Sequence, residues 1–503
     1  MKPLKILLFL LLVLAVLTFI SVFFPAGSIS ISDKIQLKFI RFSEILKGRE
    51  YMYVDITDII KTDSTVDTYN WHHALYNYPE SFYSLVFDTI KLPEQVKVIE
   101  KEEIQAKKVF DIPEYITPMQ FPGKERNSLN PFFEALSELK VSNDLIRILH
   151  YGDSQIEGDR ITSYVRNELQ KKFGGSGIGL FPIIVLSEYV LSIQHEISPN
   201  WKRYSIFDYN DGLINHLRFG VMMSFCRYSP VTLSSGTVYA GRINIEKSNI
   251  AYSRAKKFNK LTVLYGFNRK PLIIEVYKNR ELHDAEILLP NNELQKDEWS
   301  FGKPGTEIEI LFRGEDSPDL YGVALDDFQG VAVDNIPVRG SKGLEFSKSD
   351  YELLRDMYIK LNVKLVMLQF GINLVPIETA SFKFYEEELY KQLVTLKSLK
   401  SDMSILVIGI SDASVKNNGG YVTHPNILKI REAQKKAAFR ANCAFWDTFE
   451  AMGGENSMPS WVFHDPPLAT KDFTHFSYRG SKIIAEKLND ALLFEYDNFI
   501  KNN

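Results

Sequence analysis

Leu145-Ile-Arg-Ile-Leu-His-Tyr-Gly-Asp-Ser-Gln155 is a short apolar run that ends in a glycine turn and a serine. The run reads as a buried strand, and the turn as the point where the chain leaves a sheet. A helix is expected next, from about Gly158 to Lys172, because Ile161, Val165 and Leu169 recur at helical spacing and Gly174-Gly175 stops it. Working outward, Asn130-Pro131 opens a helix over Phe132–Leu139. Further strands are expected at Val331–Asp334, Lys364–Gln369, Ser404–Ile410 and Ala444–Asp447. Helices are expected between and after them at Ser349–Leu361, Ser381–Leu399, Pro425–Ala441 and Ser477–Glu495. Strands alternating with long helices imply parallel βαβ units in three layers.

The pattern changes between about Phe181 and Asp326. Thr262–Phe267, Leu272–Tyr277, Glu286–Leu289, Glu307–Phe312 and Tyr321–Leu325 read as strands joined by polar turns. That is the signature of an all-β sandwich. The α/β domain is therefore read as 130–180 plus 326–503, with a β domain, 181–325, inserted after its first strand and helix.

At the other end, Ile6 to Phe24 is an uncharged apolar run of 19 residues behind Lys2 and Lys5. It is long for a signal-peptide core, about 7–15 residues, and reaches roughly the ~30 Å of a bilayer interior. The flanking lysines would stay on the cytoplasmic side. Residues 1–29 are read as a membrane anchor, with a cleaved signal as the alternative, and the body as extracytoplasmic. Residues 30–129 mix short strand-like pieces (Ile35–Phe39, Tyr51–Ile56), a polar-aromatic stretch and a connector punctuated by Pro113, Pro118 and Pro122, and read as a stalk or small accessory layer.

Composition narrows the function. Hydrophobic residues at 45% and charged residues at 24% exclude a disordered chain. Lys and Arg number 59 against 63 Asp and Glu, a net charge of −4, which excludes the basic surface a nucleic-acid binder needs. Cys226 and Cys443 are too few for a disulfide framework and have no metal-ligand spacing; lying in different expected domains, they are not expected to pair.

Ligands of open α/β sheets bind beyond the carboxyl ends of the strands. Four segments place chemistry there: Ser154 in Gly152-Asp-Ser; Gly340 in Asp334-Asn-Ile-Pro-Val-Arg-Gly-Ser-Lys-Gly343; Asn373 in Gly371-Ile-Asn; and Asp472 with His475 in Asp472-Phe-Thr-His475. A serine needs an imidazole base to attack a carbonyl, and the imidazole needs a carboxylate to fix its tautomer. The developing oxyanion needs preorganised donors, which the N–H groups of Ser154 and Gly340 and the Asn373 amide can supply. No Gly-x-Ser-x-Gly surrounds the serine, so the α/β-hydrolase elbow is disfavoured.

The ordered set Gly-Asp-Ser, Gly, Gly-x-Asn and Asp-x-x-His resembles the SGNH (GDSL) hydrolase superfamily over about 130–180 and 326–495. The resemblance implies a three-layer α/β/α, flavodoxin-like parallel sheet and no metal or organic cofactor. It assigns Ser154 as nucleophile, Gly340 and Asn373 as oxyanion donors, His475 as base and Asp472 as its partner. Leu374 stands where the family often carries a second Asp, and Gly330 and Gly343 are close rivals of Gly340. The wording Gly152-Asp-Ser-Gln-Ile-Glu-Gly-Asp-Arg160, with its β insertion, is similar to the peptidoglycan O-acetylesterase branch, whose insertion is carbohydrate-binding-like. The same superfamily supplies polysaccharide O-acetyltransferases that work beside membrane-bound acyltransferases. Esterase, transferase and catalytically inactive carbohydrate binder are the three readings carried forward.

Other residues compete poorly. His150 is read as structural, His72-His73 lacks a third ligand, and the neighbours His464-Asp465 diverge. Asp153 and Asp159 read as loop and helix-start carboxylates. Trp201, Tyr204, Tyr209 and Tyr239 suit either sugar stacking or core packing.

Overall fold

A computed structural model describes residues 28–32, 35–38, 54–60 and 112–502, apart from 188–189, 208–213, 304–306 and 418. The chain divides into two compact units, Met1–Tyr53 and Val54–Asn503. In the first, Ser28–Ser32 and Ile35–Lys38 pair as an antiparallel hairpin. The expected membrane segment, His72-His73 and Tyr209 lie outside the described residues. Among the described residues, no helix is long and apolar enough to cross a membrane.

The second unit is built on five parallel strands: β1 (Leu145–Gly152), β2 (Gly330–Pro337), β3 (Val363–Gln369), β4 (Ser404–Ile408) and β5 (Ala444–Trp446). Their order across the sheet is β2-β1-β3-β4-β5. Both faces are covered, so the strands are mostly apolar on both sides, with Arg147, His150 and Asp334 the buried exceptions on β1 and β2. Ile146 and Ile148 of β1 and Leu406 and Ile408 of β4 pack under helices α1 (Asn130–Glu138), α2 (Thr162–Phe173) and α6 (Tyr478–Asn502). Leu149, Tyr151, Ile405 and Val407 face the opposite way, against α3 (Tyr351–Lys360), α4 (Lys383–Leu399) and α5 (Asn426–Arg440). This is the three-layer α/β/α arrangement expected from the sequence.

The α2 helix starts later than expected. Ser154–Asp159 is 3-10 structure split by a kink at Glu157 (ψ 153°) and Gly158 (φ 67°), and Asp159 (φ 63°) is also left-handed, before the helix begins at Thr162. Periodicity registered Ile161, Val165 and Leu169 but could not see that interruption.

Residues 177–326 contribute two antiparallel sheets. One runs Glu281–Leu288, Leu272–Lys278, Glu307–Gly314, Tyr239–Lys247, Ile193–Ile197. The other runs Leu294–Ser300, Lys260–Gly266, Asp319–Asp326, Ser224–Arg227, Lys202–Ser205, with Gly177–Phe181 also paired to Asp319–Asp326. Ile243, Ile274 and Ile310 of the first share a core with Val263, Trp299 and Val323 of the second. Several of these strands carry no clear signal: Leu294-Gln-Lys-Asp-Glu-Trp-Ser300 buries only Leu294 and Trp299. The expected strand at Tyr51–Ile56 is absent from its described part, since Val54–Ile56 is irregular and Thr57–Ile59 is a 3-10 turn.

Part of the accessory region belongs to the α/β body. Gln120 exchanges two backbone hydrogen bonds with Phe445 of β5, and Ile56, Met119 and Phe121 join the core below α1 and α6.

Candidate active site

The strand order reverses at β1, which leaves a crevice beyond the carboxyl ends of β1 and β3. Ser154 opens the 3-10 turn that follows β1, and a first-turn N–H has no intrahelical acceptor. Gly152 is obligatory before it, because a Cβ there would stand 2.8 Å from the Gln369 carbonyl oxygen of β3.

His475 lies in the loop before α6, and Asp472 shapes that loop. Asp472 Oδ1 accepts from Thr470 Oγ1 at 2.6 Å, Thr474 N at 3.0 Å and His475 N at 3.1 Å. That leaves Oδ2 for His475 Nδ1, 2.7 Å away. His475 Nε2 is in turn 2.8 Å from Ser154 Oγ. Burial alone pushes the Asp472 carboxyl up, but hydrogen bonds from His475 and Thr470 outweigh it and hold the group at about 2. An ionised carboxylate only accepts. Nδ1 therefore carries the imidazole proton, and Nε2 presents its lone pair to the Ser154 hydroxyl.

Asn373 sits in the 3-10 turn Ile372–Leu374 directly after β3. Its amide donates to the Ser341 carbonyl at 2.9 Å, which fixes the side chain and ties this turn to the loop after β2. Gly340 is in that loop, exposed, with φ 79°. Its rivals are accounted for elsewhere. Gly330 begins β2, at the amino end of the strand against Gly174-Gly175, and Gly343 packs on the Phe370 ring. Leu374 is fully buried in the apolar core.

Three further side chains hold the crevice together. Asp153 is buried and accepts from Gln155 N at 3.1 Å and Ile372 N at 3.4 Å, linking the serine turn to the asparagine turn. Burial pushes its carboxyl up to about 6 against the pull of those N–H groups and of His475. Gln155 donates to the Thr474 carbonyl at 2.8 Å and to Ser411 Oγ at 3.2 Å, and so braces the histidine loop. Gln434 of α5 donates to the Phe370 carbonyl at 2.7 Å and accepts from Ile410 N at 2.8 Å, joining the ends of β3 and β4. Sequence reasoning missed Gln155 and Gln434, because each acts through partners remote in the chain.

The discarded residues find structural roles. His150 is buried between Thr162 Oγ1 (2.9 Å) and Gln369 Oε1 (3.1 Å), and burial pushes it down to about 4. Asp159 pairs with the buried Arg166 at 2.6 Å. His464 Nδ1 contacts the Pro466 carbonyl at 2.8 Å, not Asp465. Trp201 and Tyr204 are buried, and Tyr239 is partly covered. Cys226 and Cys443 are both free and buried. Among the described residues, no cluster of His, Cys, Asp or Glu could hold a metal ion.

The parallel sheet has the flavodoxin-like 2-1-3-4-5 order, with Ser154 after its first strand and His475 before its last helix. Among solved structures, the chain is similar to a peptidoglycan O-acetylesterase at TM-score 0.59 and 21% identity, over 76% of this chain and 99% of that one. At this identity the likeness is one of fold. An acetyl xylan esterase (18% identity, TM-score 0.25, 32% of this chain and 81% of that one) overlaps only partially. So does a chain described as a GDSL-like lipase from Bacteroides ovatus (12% identity, TM-score 0.22, 60% of this chain and 97% of that one), and neither carries an argument. No family profile and no curated protein matches the sequence.

Proposed function

We propose that this chain is a serine esterase that removes small acyl groups, acetyl foremost, from peptidoglycan or another cell-surface polysaccharide. The single observation that carries this reading is the hydrogen-bonded chain Ser154 Oγ–His475 Nε2, His475 Nδ1–Asp472 Oδ2 at the carboxyl edge of the sheet. Ser154 Oγ attacks the ester carbonyl carbon while its proton passes to His475 Nε2. The N–H groups of Ser154 and Gly340 and the Asn373 amide meet the developing oxyanion. The sugar oxygen leaves with the proton from Nε2, and an acetyl-serine remains. Water then attacks that ester as His475 takes its proton, and acetate departs as that proton returns to Ser154 Oγ. Chemistry of this kind needs no metal or organic cofactor. The choice of a polymer substrate draws on the fold likeness to the peptidoglycan O-acetylesterase and on the β layers beside the catalytic sheet.

The apolar run Ile6–Phe24 supports a membrane-anchored protein with its body outside the cytoplasm, where such polymers lie. The test is acetate release by the full-length chain in detergent from O-acetylated peptidoglycan, against Ser154→Ala, with and without an oligosaccharide acceptor. Serine-dependent free acetate is expected. Acetyl appearing on the acceptor instead would make the protein a transferase beside a membrane-bound acyltransferase. No turnover of any acetyl ester would leave the carbohydrate-binding reading.

A further inference from the structure

Two of the three candidate oxyanion donors are held by contacts already described: the Ser154 N–H by its own turn, and the Asn373 amide by the Ser341 carbonyl. Gly340 is different. The loop is tied on either side of it, at Val338, whose N–H donates to the Gly152 carbonyl at 2.7 Å, and at Ser341, whose N–H donates to the Val338 carbonyl at 3.0 Å. Between those ties Arg339 and Gly340 are both exposed. The Ser341-to-Val338 bond closes a four-residue turn around the Arg339–Gly340 peptide, but a Cβ built on Gly340 meets nothing within 4 Å, so no side-chain packing braces that corner of the turn. The neighbouring side chain adds a tie from this corner to the turn that carries Ser154. Arg339 Nε and Nη2 fork onto the two carboxylate oxygens of Glu157 at 2.5 and 2.6 Å.

Glu157 is well placed to act as the fixed end. It lies three residues after Ser154, at the kink that ends the serine turn, in an extended conformation (φ −55°, ψ 153°). Its carbonyl accepts from Arg160 Nε at 2.7 Å, and the next carbonyl, of Gly158, accepts from Leu191 N at 3.1 Å. Its side chain is 5% exposed, against 48% for Arg339. A pair with one end in solvent adds little to global stability, while burying the glutamate carries a desolvation cost. The bidentate geometry instead fixes the distance between the serine turn and the residue before Gly340.

Resting on the esterase reading, we propose that Glu157 and Arg339 are positioning residues: their ion pair holds the Gly340 N–H in register with Ser154 Oγ for the oxyanion. Neither need touch substrate. A misplaced donor weakens binding of the tetrahedral state and leaves ground-state binding alone.

The test compares Arg339→Gln, Arg339→Lys and Glu157→Gln with the parent chain on a soluble acetyl ester. It reads kcat, KM, Tm and the affinity for methylboronic acid, which becomes tetrahedral on a nucleophilic serine. Expected for Arg339→Gln and Glu157→Gln is a fall in kcat of ~10–100-fold, the scale of a slightly misplaced catalytic group, with KM and Tm unchanged. Boronate affinity falls in parallel, and Arg339→Lys, which keeps the charge but not the fork, lies between. Parental kcat in both variants overturns the proposal. So does a kcat loss that follows Tm while boronate affinity stays parental. Ser154→Ala in the same assay guards the underlying reading: if it hydrolyses the ester at the parental rate, the esterase assignment itself falls, whatever Arg339→Gln does.

Discussion

Replacing Asp472 by Asn tests the catalytic geometry with the smallest change of shape. Asp472 Oδ1 faces three donors, Thr470 Oγ1, Thr474 N and His475 N, whereas Oδ2 faces only His475 Nδ1. The asparagine oxygen must therefore take the Oδ1 position, because an NH2 there would meet three donors. The NH2 then points at Nδ1 and, being a donor, requires Nδ1 to accept. The imidazole proton moves to Nε2, which can no longer take the Ser154 proton. Loss of the correct tautomer in a serine triad costs ~10⁴ in kcat, so a fall of about 10³–10⁴-fold is expected, with a folded loop. A stability change accompanies it. The Asp472 carboxyl is held at about 2, against an ordinary value of 3.8. That gap is worth about 2 kcal/mol at 1.36 kcal/mol per pH unit. Because the folded-state value is depressed, the stabilisation is complete above about 4 and is lost as pH falls toward 2. Asp472→Asn should therefore be less stable than the parent at pH 7, and the gap should close in acid. Ester hydrolysis by kcat and Tm from pH 3 to 7 measure both. A variant retaining a tenth of parental kcat would refute the tautomer argument.

Asn373→Ala removes the proposed oxyanion donor and leaves the Ser341 carbonyl without its 2.9 Å partner; kcat should fall ~10²–10³-fold with little change in KM on a small acetyl ester. Asp153→Asn addresses a carboxyl that burial raises to about 6. A raised acid penalises the folded state as pH climbs from about 3.8 through 6, so Tm of the variant relative to the parent should increase between pH 4 and 7. Gly480→Ala in the first turn of α6 would put a Cβ 1.9 Å from the Leu468 carbonyl oxygen, a backbone atom that cannot swing away. A loss of ~1–3 kcal/mol or more is expected by denaturant titration, typical of overpacking.

Much of this molecule is written locally. Helices α3, α4 and α5 begin and end within two residues of where periodicity and stop signals put them, because an amphipathic helix against a sheet must repeat its apolar residues every three or four positions. The central strands were legible for a related reason: buried on both faces, they read as continuous apolar runs. The charged strand Leu294–Ser300 was not, since two buried residues in seven give no period. The 3-10 turn at Ser154–Asp159 escaped because its kink rests on the backbone of Glu157 and Gly158, not on any pattern of side chains.

The sequence by itself determined the parallel α/β core and the interruption by antiparallel strands, and put forward Ser154, Gly340 and Asn373 after strands and Asp472 and His475 before the last helix. These follow from local periodicity and from the rule that strand ends collect ligands. Only the tertiary structure decided that Ser154 and His475, 321 positions apart, stand 2.8 Å from each other. It set Gly330 and Gly340 toward opposite ends of β2, and it alone revealed the braces Gln155 and Gln434 and the Glu157–Arg339 ion pair. Hydrogen bonds are short-ranged and directional, so their partners are chosen by chain crossings in space, which no linear spacing encodes.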